Sequence, residues 1–363
     1  MVNGHLRSEK MTTIDRRTFL AGLATATAAA GLPLRPAFAE GLAGAPGVVG
    51  ERKVKIALVR YLSTGDFFQF YLAGVTRQAE ALGFDLHVLD SRQDAALQAE
   101  MLQQAMNLGV DGIILQHGLT ETLKDPAAQA VAEGFKVVAF DVNCENPDIP
   151  QIEQNDRELA RLALEQAIAD NGESFKAGYV YVPGIAPLDR RDETWQAFKK
   201  KYPGIEEVAH WGTMNNPIAN SVADQTAAVL RANPDISVIF APYDEFAKGA
   251  KTAVDEAGLN EKIKIYSADI STPDISAMVE DNSAWAATAA TSSAVVGEVC
   301  VRTLALQLAG VETGQQVVVP PTLITRQMLI EKGIRNMDDL AAKLPQFSKA
   351  DVSMAAWIPE PKR

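Results

Sequence analysis

One phrase recurs three times in the first half of the chain and limits what it can fold into. Ala81-Leu82-Gly83-Phe84-Asp85, Asn107-Leu108-Gly109-Val110-Asp111 and Ala132-Glu133-Gly134-Phe135-Lys136 each close an amphipathic run at glycine and pass directly into an apolar stretch. Glycine just beyond a helix provides the left-handed cap that other residues resist. The stretch that follows has strand length. Helix, cap and buried strand in strict succession build a parallel sheet wound with helices on both sides. The spacing predicts strands at 54–59, 85–90, 112–116 and 137–141, with helices at 67–82, 95–108 and 122–133.

A polar stretch with two prolines, 144–156, interrupts this pattern, and the alternation then restarts. Helices are expected at 157–170, 192–201, 219–232, 245–257 and 293–308. Strands are expected at 177–182, 207–210, 238–241, 263–268, 284–288 and 317–319. The fold class is therefore α/β, with two doubly wound parallel-sheet lobes joined by a hinge. The expected division is a first lobe from 53–154 plus about 292–324, a second lobe from 155–291, and a tail, 325–363, with two short helices and a proline-rich end. Paired α/β lobes of this kind enclose a cleft that closes by hinge motion.

Residues 1–39 are set apart from these lobes. Asp15-Arg16-Arg17-Thr18-Phe19-Leu20 precedes an alanine-rich apolar run, 21–32, and then Ala37-Phe38-Ala39. A charged start, an apolar run too short to span a bilayer and a small-residue cleavage site make an export signal. The arginine pair with Phe and Leu behind it marks the twin-arginine type. Residues 40–52 read as a flexible leader. The expected location is the periplasm, with the signal removed.

Acidic side chains outnumber basic ones, giving a formal net charge of −12. Losing residues 1–39 removes more basic than acidic groups and deepens that excess. Such a surface repels phosphate backbones and anionic lipid, so nucleic acid and membrane are poor partners. The histidines His5, His87, His117 and His210 have no ligand spacing, and neither CxxC nor HExxH occurs, so no metal is expected. Cys144 and Cys300 permit a disulfide in an oxidising compartment without implying one. No glycine-rich phosphate loop, nucleophile elbow or compact Ser/His/Asp grouping follows any strand. No cofactor and no enzymatic activity are expected.

Ligands of open α/β sheets sit beyond the carboxyl ends of the strands. Those ends carry Ser63, Thr64 and Asp66, then Asp90 and Ser91, Gln116, and Asp141 in the first lobe. The second lobe supplies Asp189, Arg190 and Arg191, then Tyr243 and Asp244, and Asp269. Phe67 and Phe68 follow the first turn, and neighbours on a helix cannot share one face, so one of them is expected to cover a ligand. Amides, carboxylates, an arginine and aromatics suit a neutral polyhydroxylated solute, whose hydroxyls pair with planar polar groups while its C–H face meets a ring.

These residues resemble the ribose-binding class of periplasmic sugar-binding proteins, the solute receptors of ABC transporters with the type I periplasmic binding protein fold. The likeness runs from about Val54 to about Thr325. It rests on Asp66-Phe67-Phe68, Leu89-Asp90-Ser91, Val110-Asp111-Gly112-Ile113-Ile114-Leu115-Gln116, Val138-Ala139-Phe140-Asp141, Arg191-Asp192-Glu193-Thr194-Trp195, Asn233-Pro234-Asp235-Ile236, Phe240-Ala241-Pro242-Tyr243-Asp244-Glu245 and Ser267-Ala268-Asp269. The resemblance implies that Phe67 and Phe68 flank a sugar ring and that Gln116 offers an amide. It further implies that Asp141 and Asp269 accept from hydroxyls, that Arg191 donates a forked pair, and that Tyr243 and Thr291 complete the set. Three departures stand out. Gly65 replaces a frequent Asn, Val142 a frequent Arg, and Tyr243 a frequent Asn, so two polar contacts are lost and an aromatic is gained. The resemblance implies a monomer that captures a monosaccharide or sugar alcohol and delivers it to a membrane permease. A sugar-sensing role and, more remotely, an exported enzyme are the competing readings.

Overall fold

The computed structural model describes Met1 and residues 41–362. The export signal expected at 1–39 lies outside the described residues. In chain order the first lobe comprises α1 (Gly47–Glu51), β1 (Lys55–Arg60), α2 (Asp66–Ala81), β2 (Asp85–Asp90), α3 (Ala95–Asn107), β3 (Gly112–Gln116), α4 (Thr120–Ala132), β4 (Lys136–Phe140) and β5 (Gln151–Glu153). The second lobe follows with α5 (Asp156–Asn171), β6 (Ser174–Val180), α6 (Ala186–Lys201), β7 (Gly204–Trp211), α7 (Ile218–Ala232), β8 (Val238–Ala241), α8 (Asp244–Glu256), β9 (Lys264–Ala268), α9 (Thr272–Val279) and β10 (Trp285–Ala290). The chain returns to the first lobe for α10 (Ser293–Leu308) and β11 (Gln316–Val318). It then crosses back for β12 (Thr322–Thr325), α11 (Arg326–Glu331), α12 (Met337–Lys343) and α13 (Pro345–Ser348).

Each lobe holds one six-stranded sheet, ordered β11-β5-β4-β3-β1-β2 in the first and β12-β10-β9-β8-β6-β7 in the second. All ladders are parallel except β10 with β12. The central parallel strands are apolar on both faces because helices cover both faces, as the uninterrupted burial of β3 shows, whereas the edge strands β2 and β7 are only partly buried. Three caps anticipated by the recurring phrase are present: Gly83, Gly109 and Gly134 have φ of 70°, 62° and 94°. Asp94 caps α3 by accepting from the Leu97 amide at 2.9 Å. Helices α2 and α10 pack backbone to backbone: a Cβ on Gly74 would lie 1.9 Å from the Ala294 carbonyl oxygen, and one on Gly297 would lie 2.3 Å from that of Tyr71.

Several boundaries differ from the sequence expectation. The polar break contains β5, which the flanking Pro150 and the single apolar Ile152 hide from pattern reading. Helix α6 begins at Ala186 rather than 192, so Asp189, Arg190 and Arg191 lie on a helix and not at a strand end. The first lobe was expected to extend to about 324, but Thr322–Thr325 pairs antiparallel with β10 of the second lobe. Pro320 and Pro321 have no N–H to give a ladder, so the chain leaves the first sheet there. The lobes are thus joined by crossings at 154–155, 291–292 and 319–321.

The tail spans both lobes. Leu329, Ile334, Leu340, Leu344 and Phe347 are buried in the second-lobe core. Ile358 is buried in the first-lobe core, with Ala350, Val352, Ala355 and Trp357 packed against it. Gln78 Nε2 donates to the Pro359 carbonyl at 3.0 Å. Cys144 and Cys300 are free, buried in separate clusters, and burial pushes both thiols up to about 12. Among the described residues no helix is long and apolar enough to cross a membrane.

Candidate functional site

The site begins in the backbone. His117, Asp141 and Asp269 each follow the last residue of a strand (β3, β4 and β9), and each adopts a left-handed conformation, with φ of 54°, 52° and 73°. Only glycine does this freely, although Asp, Asn and His are the side-chain-bearing residues that tolerate it best. Three such turns at the carboxyl ends of strands concentrate backbone strain where the lobes face each other.

Two arginines from the first turns of α6 knit the lobes together. Arg191 is 2% exposed. Its Nε donates to Asp156 Oδ1 at 2.8 Å, and its Nη1 to Asp269 Oδ2 at 2.9 Å and to the Pro242 carbonyl at 2.6 Å. Arg190 donates through Nε and Nη2 to Asp156 Oδ2, at 2.8 and 2.6 Å, and reaches across the cleft to Asp141 Oδ1. Burial works against both guanidinium charges, but Asp141, Asp156 and Asp269 more than offset it, so both remain cationic. Burial also raises the Asp141 carboxyl, with Asp156 adding to the rise, while Arg190 and Arg191 pull it down. Asp141 Oδ2 has no hydrogen-bond partner, although the residue is 3% exposed. An orphaned buried carboxylate oxygen costs free energy until a donor reaches it.

The position of the proton on the His117 ring can be deduced. Gln116 Oε1 accepts from the Tyr61 amide at 3.2 Å, which fixes the orientation of the side-chain amide. Its Nε2 therefore donates to His117 Nδ1, 3.0 Å away. Burial, together with the charges of Arg190 and Arg191, lowers the His117 pKa to about 3, so the ring is neutral. A neutral ring accepting at Nδ1 carries its proton on Nε2. That nitrogen lies 3.9 Å from Asp141 Oδ2, too far for a hydrogen bond.

His117 and Arg191 border a narrow cavity of about 30 Å³ between the lobes. Leu62, Phe67, Phe68 and His117 line it from the first lobe, and Gln154 from a crossing. Ile185, Pro187, Leu188, Arg191, Met214, Tyr243 and Asp269 line it from the second. Of the residues expected from sequence, Phe67, Phe68, Arg191, Tyr243 and Asp269 reach this wall. Both phenylalanines do so, edge to face with centroids 5.2 Å apart, where the helix-face argument expected one and the resemblance both. Gln116, Asp141 and Thr291 do not line it. Gln116 orients His117, Asp141 holds Arg190 and turns its free oxygen toward His117, and Thr291 donates to Gln154 Oε1. His117, Gln154, Leu62, Ile185, Pro187, Leu188 and Met214 were not anticipated. His117 and Gln154 each adjoin a predicted feature, the end of β3 and the interlobe crossing, and that adjacency is the signal sequence reading passed over.

The three departures from the family pattern fit together. A Cβ on Gly65 would stand 3.6 Å from Tyr243 Oη, so the tyrosine occupies the space that a larger residue at 65 would contest. Val142 is buried in the first-lobe core, and Arg190, from the opposite lobe, supplies the cation beside Asp141.

Comparison with known proteins gives this geometry its context. The model of the family described as periplasmic binding protein domain matches residues 56–312. The D-apiose import binding protein of Actinobacillus succinogenes is 25% identical over 219 residues, covering 58% of this chain and 68% of that protein. The ribose import binding protein of Bacillus subtilis is 23% identical over 202 residues, covering 53% and 62%. Among solved structures, the 5-methylthioribose transporter solute-binding protein of Thermotoga lettingae, in complex with 5-methylthioribose, superposes with a TM-score of 0.82 at 37% identity, covering 84% of this chain and 97% of that one. A sugar ABC transporter protein of Yersinia enterocolitica gives 0.80 at 29% identity, covering 84% and 93%.

Proposed function

This chain belongs to the periplasmic binding protein family, and on that premise we propose that it captures a monosaccharide or sugar alcohol between its lobes and delivers it to the permease of an ABC transporter. The observation that carries the reading is the meeting of His117, Phe67 and Phe68 of one lobe with Arg191, Tyr243 and Asp269 of the other at the wall of one interlobe cavity. The His117 imidazole offers a donor and the Asp269 carboxylate an acceptor to a solute in that cavity. Phe67 and Phe68 offer ring surfaces to the C–H face of a sugar.

Capture and closure are one event in this account. The first lobe supplies His117, Asp141 and the two phenylalanines; the second supplies Arg191, Asp269 and Tyr243. A solute satisfying both sets favours the closed form by its differential affinity for that form. The closed form is then what the permease meets. A periplasmic location, reached through the twin-arginine signal expected at 1–39, belongs to this reading and is supported by the family's extracytoplasmic setting. The relatives are named for ribose and apiose import and, in the Thermotoga protein, for 5-methylthioribose, so a pentose or pentose derivative heads the candidates.

A thermal-shift screen of the purified protein against pentoses, hexoses, deoxysugars, alditols and 5-methylthioribose tests the reading. A micromolar binder at millimolar concentration stabilises the native state by about 4 kcal/mol, which raises the midpoint by several degrees. No shift with any sugar or alditol would overturn the carbohydrate assignment.

A further inference from the structure

A short strap of the second lobe, residues 212–217, connects β7 to α7 and reaches both the cavity and a groove beside it. Gly212 roots the strap: a Cβ there would lie 2.6 Å from the Tyr181 carbonyl oxygen, so only glycine fits. Met214 lines the cavity, and its side chain packs against the cores of both lobes. Asn216 lines the groove, of about 390 Å³, with Ser63, Thr64, Asp90 and Gln93 of the first lobe. Cavity and groove share Leu62, Phe68 and Tyr243, so they adjoin.

The Gln93 side chain fastens this strap to the first lobe. Its Nε2 donates to the Met214 carbonyl at 3.2 Å, and its Oε1 accepts from Asn216 Nδ2 at 3.1 Å. One amide thus holds the residue at the cavity and the residue at the groove together. The backbone presenting it is strained. Arg92 and Gln93 are consecutive left-handed residues, with φ of 52° and 66°, and neither is glycine. The Arg92 amide donates to Asp90 Oδ1 at 2.9 Å and the Gln93 amide to the Tyr61 carbonyl at 2.8 Å, which hold that conformation. Strain of this kind collects at clamps and switches.

A cavity of about 30 Å³ holds water, not a sugar ring, so part of its wall must give way to admit one. Phe67 and Phe68 are fixed on α2, and Arg191 and Asp269 are fixed to each other. Met214 sits on a connection whose tie to the first lobe is a pair of amide hydrogen bonds, part-buried and exposed. Such bonds open far more readily than packed helices or buried ion pairs.

We propose, building on the interlobe sugar-capture reading, that residues 212–217 form a lid between cavity and groove, that the sugar passes by way of the groove, and that Gln93 is the positioning residue that latches the lid. Release must wait until both amide bonds break and Met214 withdraws. Removing the latch therefore speeds release without slowing association, whereas general damage to the site slows association.

Stopped-flow tryptophan fluorescence of the purified protein with D-ribose, D-apiose and 5-deoxy-5-methylthio-D-ribose measures both rates; Trp211, the last residue of β7, stands at the root of the strap. Gln93→Ala should speed release of the sugars that bind by about fivefold or more, with association unchanged or faster. Asn216→Ala, which loses one bond of the two, should fall between parent and Gln93→Ala. In sugar-free protein, amide exchange at residues 213–216 should quicken in Gln93→Ala while β7 and α6 keep their rates. Equal release rates in parent and Gln93→Ala, or unaltered exchange at 213–216, would overturn the lid and leave sugar capture standing. Binding of none of these sugars, nor of any hexose or alditol, by folded protein would overturn both.

Discussion

Asp66 of the first lobe and Lys248 of the second meet across the cleft at 3.1 Å, Oδ2 to Nζ, and the same oxygen accepts from Ser271 Oγ at 3.1 Å. Lys248 Nζ also lies 2.7 Å from Glu245 Oε1, 3.3 Å from Asp274 Oδ1 and 3.8 Å from Asp244 Oδ2. Closure therefore brings a fourth carboxylate to an ammonium already shared by three. This cluster is separate from the cavity and links the closed form to protonation.

The consequence is a pH dependence of definite sign. Burial lifts the Asp274 carboxyl to about 6, and burial with Asp274 and Asp269 nearby raises Asp244 well above the usual range. A carboxyl raised in the folded state favours the protonated form. Its contribution is fully present below the ordinary carboxylate range, about 4, and is lost as pH rises through about 6. The burial-raised carboxyls of Asp141 and Asp269 act in the same direction. Buried neutral His117, lowered to about 3, works in the opposite direction as pH falls below about 6.5, so the test compares proteins: from pH 7.5 to pH 5 the thermal midpoint of the parent protein should rise relative to that of Asp274→Asn, read by calorimetry.

Arg190, mostly buried, and Asp141, fully buried, form the second tie between lobes. Removing one partner of such a pair leaves a charge unpaired and costs about 3–5 kcal/mol in the closed form. Arg190→Ala should weaken binding of whichever sugar gives the thermal shift by tenfold or more, read by titration. Arg190→Lys should recover only part of the loss, since an ammonium cannot serve Asp156 and Asp141 with the planar fork that guanidinium presents.

Packing of α2 on α10 leaves no room for a methyl group. Gly74→Ala would drive a carbon into the Ala294 carbonyl oxygen, and both surfaces are backbone, which cannot rotate away. Overpacking of this kind costs about 1–3 kcal/mol, and the rigidity of the contact places this case at or above the top of that range. Denaturant titration should show a lowered midpoint, with far-UV dichroism of the native baseline unchanged.

Residues 350–363 tie the tail to the first lobe through Ile358, Trp357 and the Gln78–Pro359 hydrogen bond. Deleting them exposes apolar core surface while leaving α11, α12 and α13 in place on the second lobe. The truncated protein should melt at least several degrees lower. An unchanged midpoint would show that the strap adds nothing to the fold.

Much of this architecture was legible in the sequence because buried parallel strands are continuous apolar runs and because the caps are glycines. β5 was not, since a three-residue edge of the polar crossing has no periodicity to read. The N-terminal start of α6 was missed because Pro187 and the charges after it read as a loop, although proline is well placed in a first helical turn. Within the site, the residues that touch the cavity because of their own strand or helix, such as Phe67, Arg191 and Asp269, could be picked out by place and chemistry. The exchange of roles between Gln116 and His117 could not. It depends on a left-handed backbone at His117, which swings that side chain to the cavity and leaves Gln116 behind it as its orienting partner. The apolar residues of the lining were equally hidden, because Leu62, Leu188 and Met214 come from distant segments and have ordinary core character when read singly.

Amide hydrogen exchange, with and without a saturating concentration of the sugar giving the largest thermal shift, tests interlobe capture most directly. The account predicts slowed exchange in both lobes at once, in peptides containing His117 and Asp141 and in those containing Arg191, Tyr243 and Asp269. Slowing confined to one lobe, or to segments away from the cleft, would contradict it.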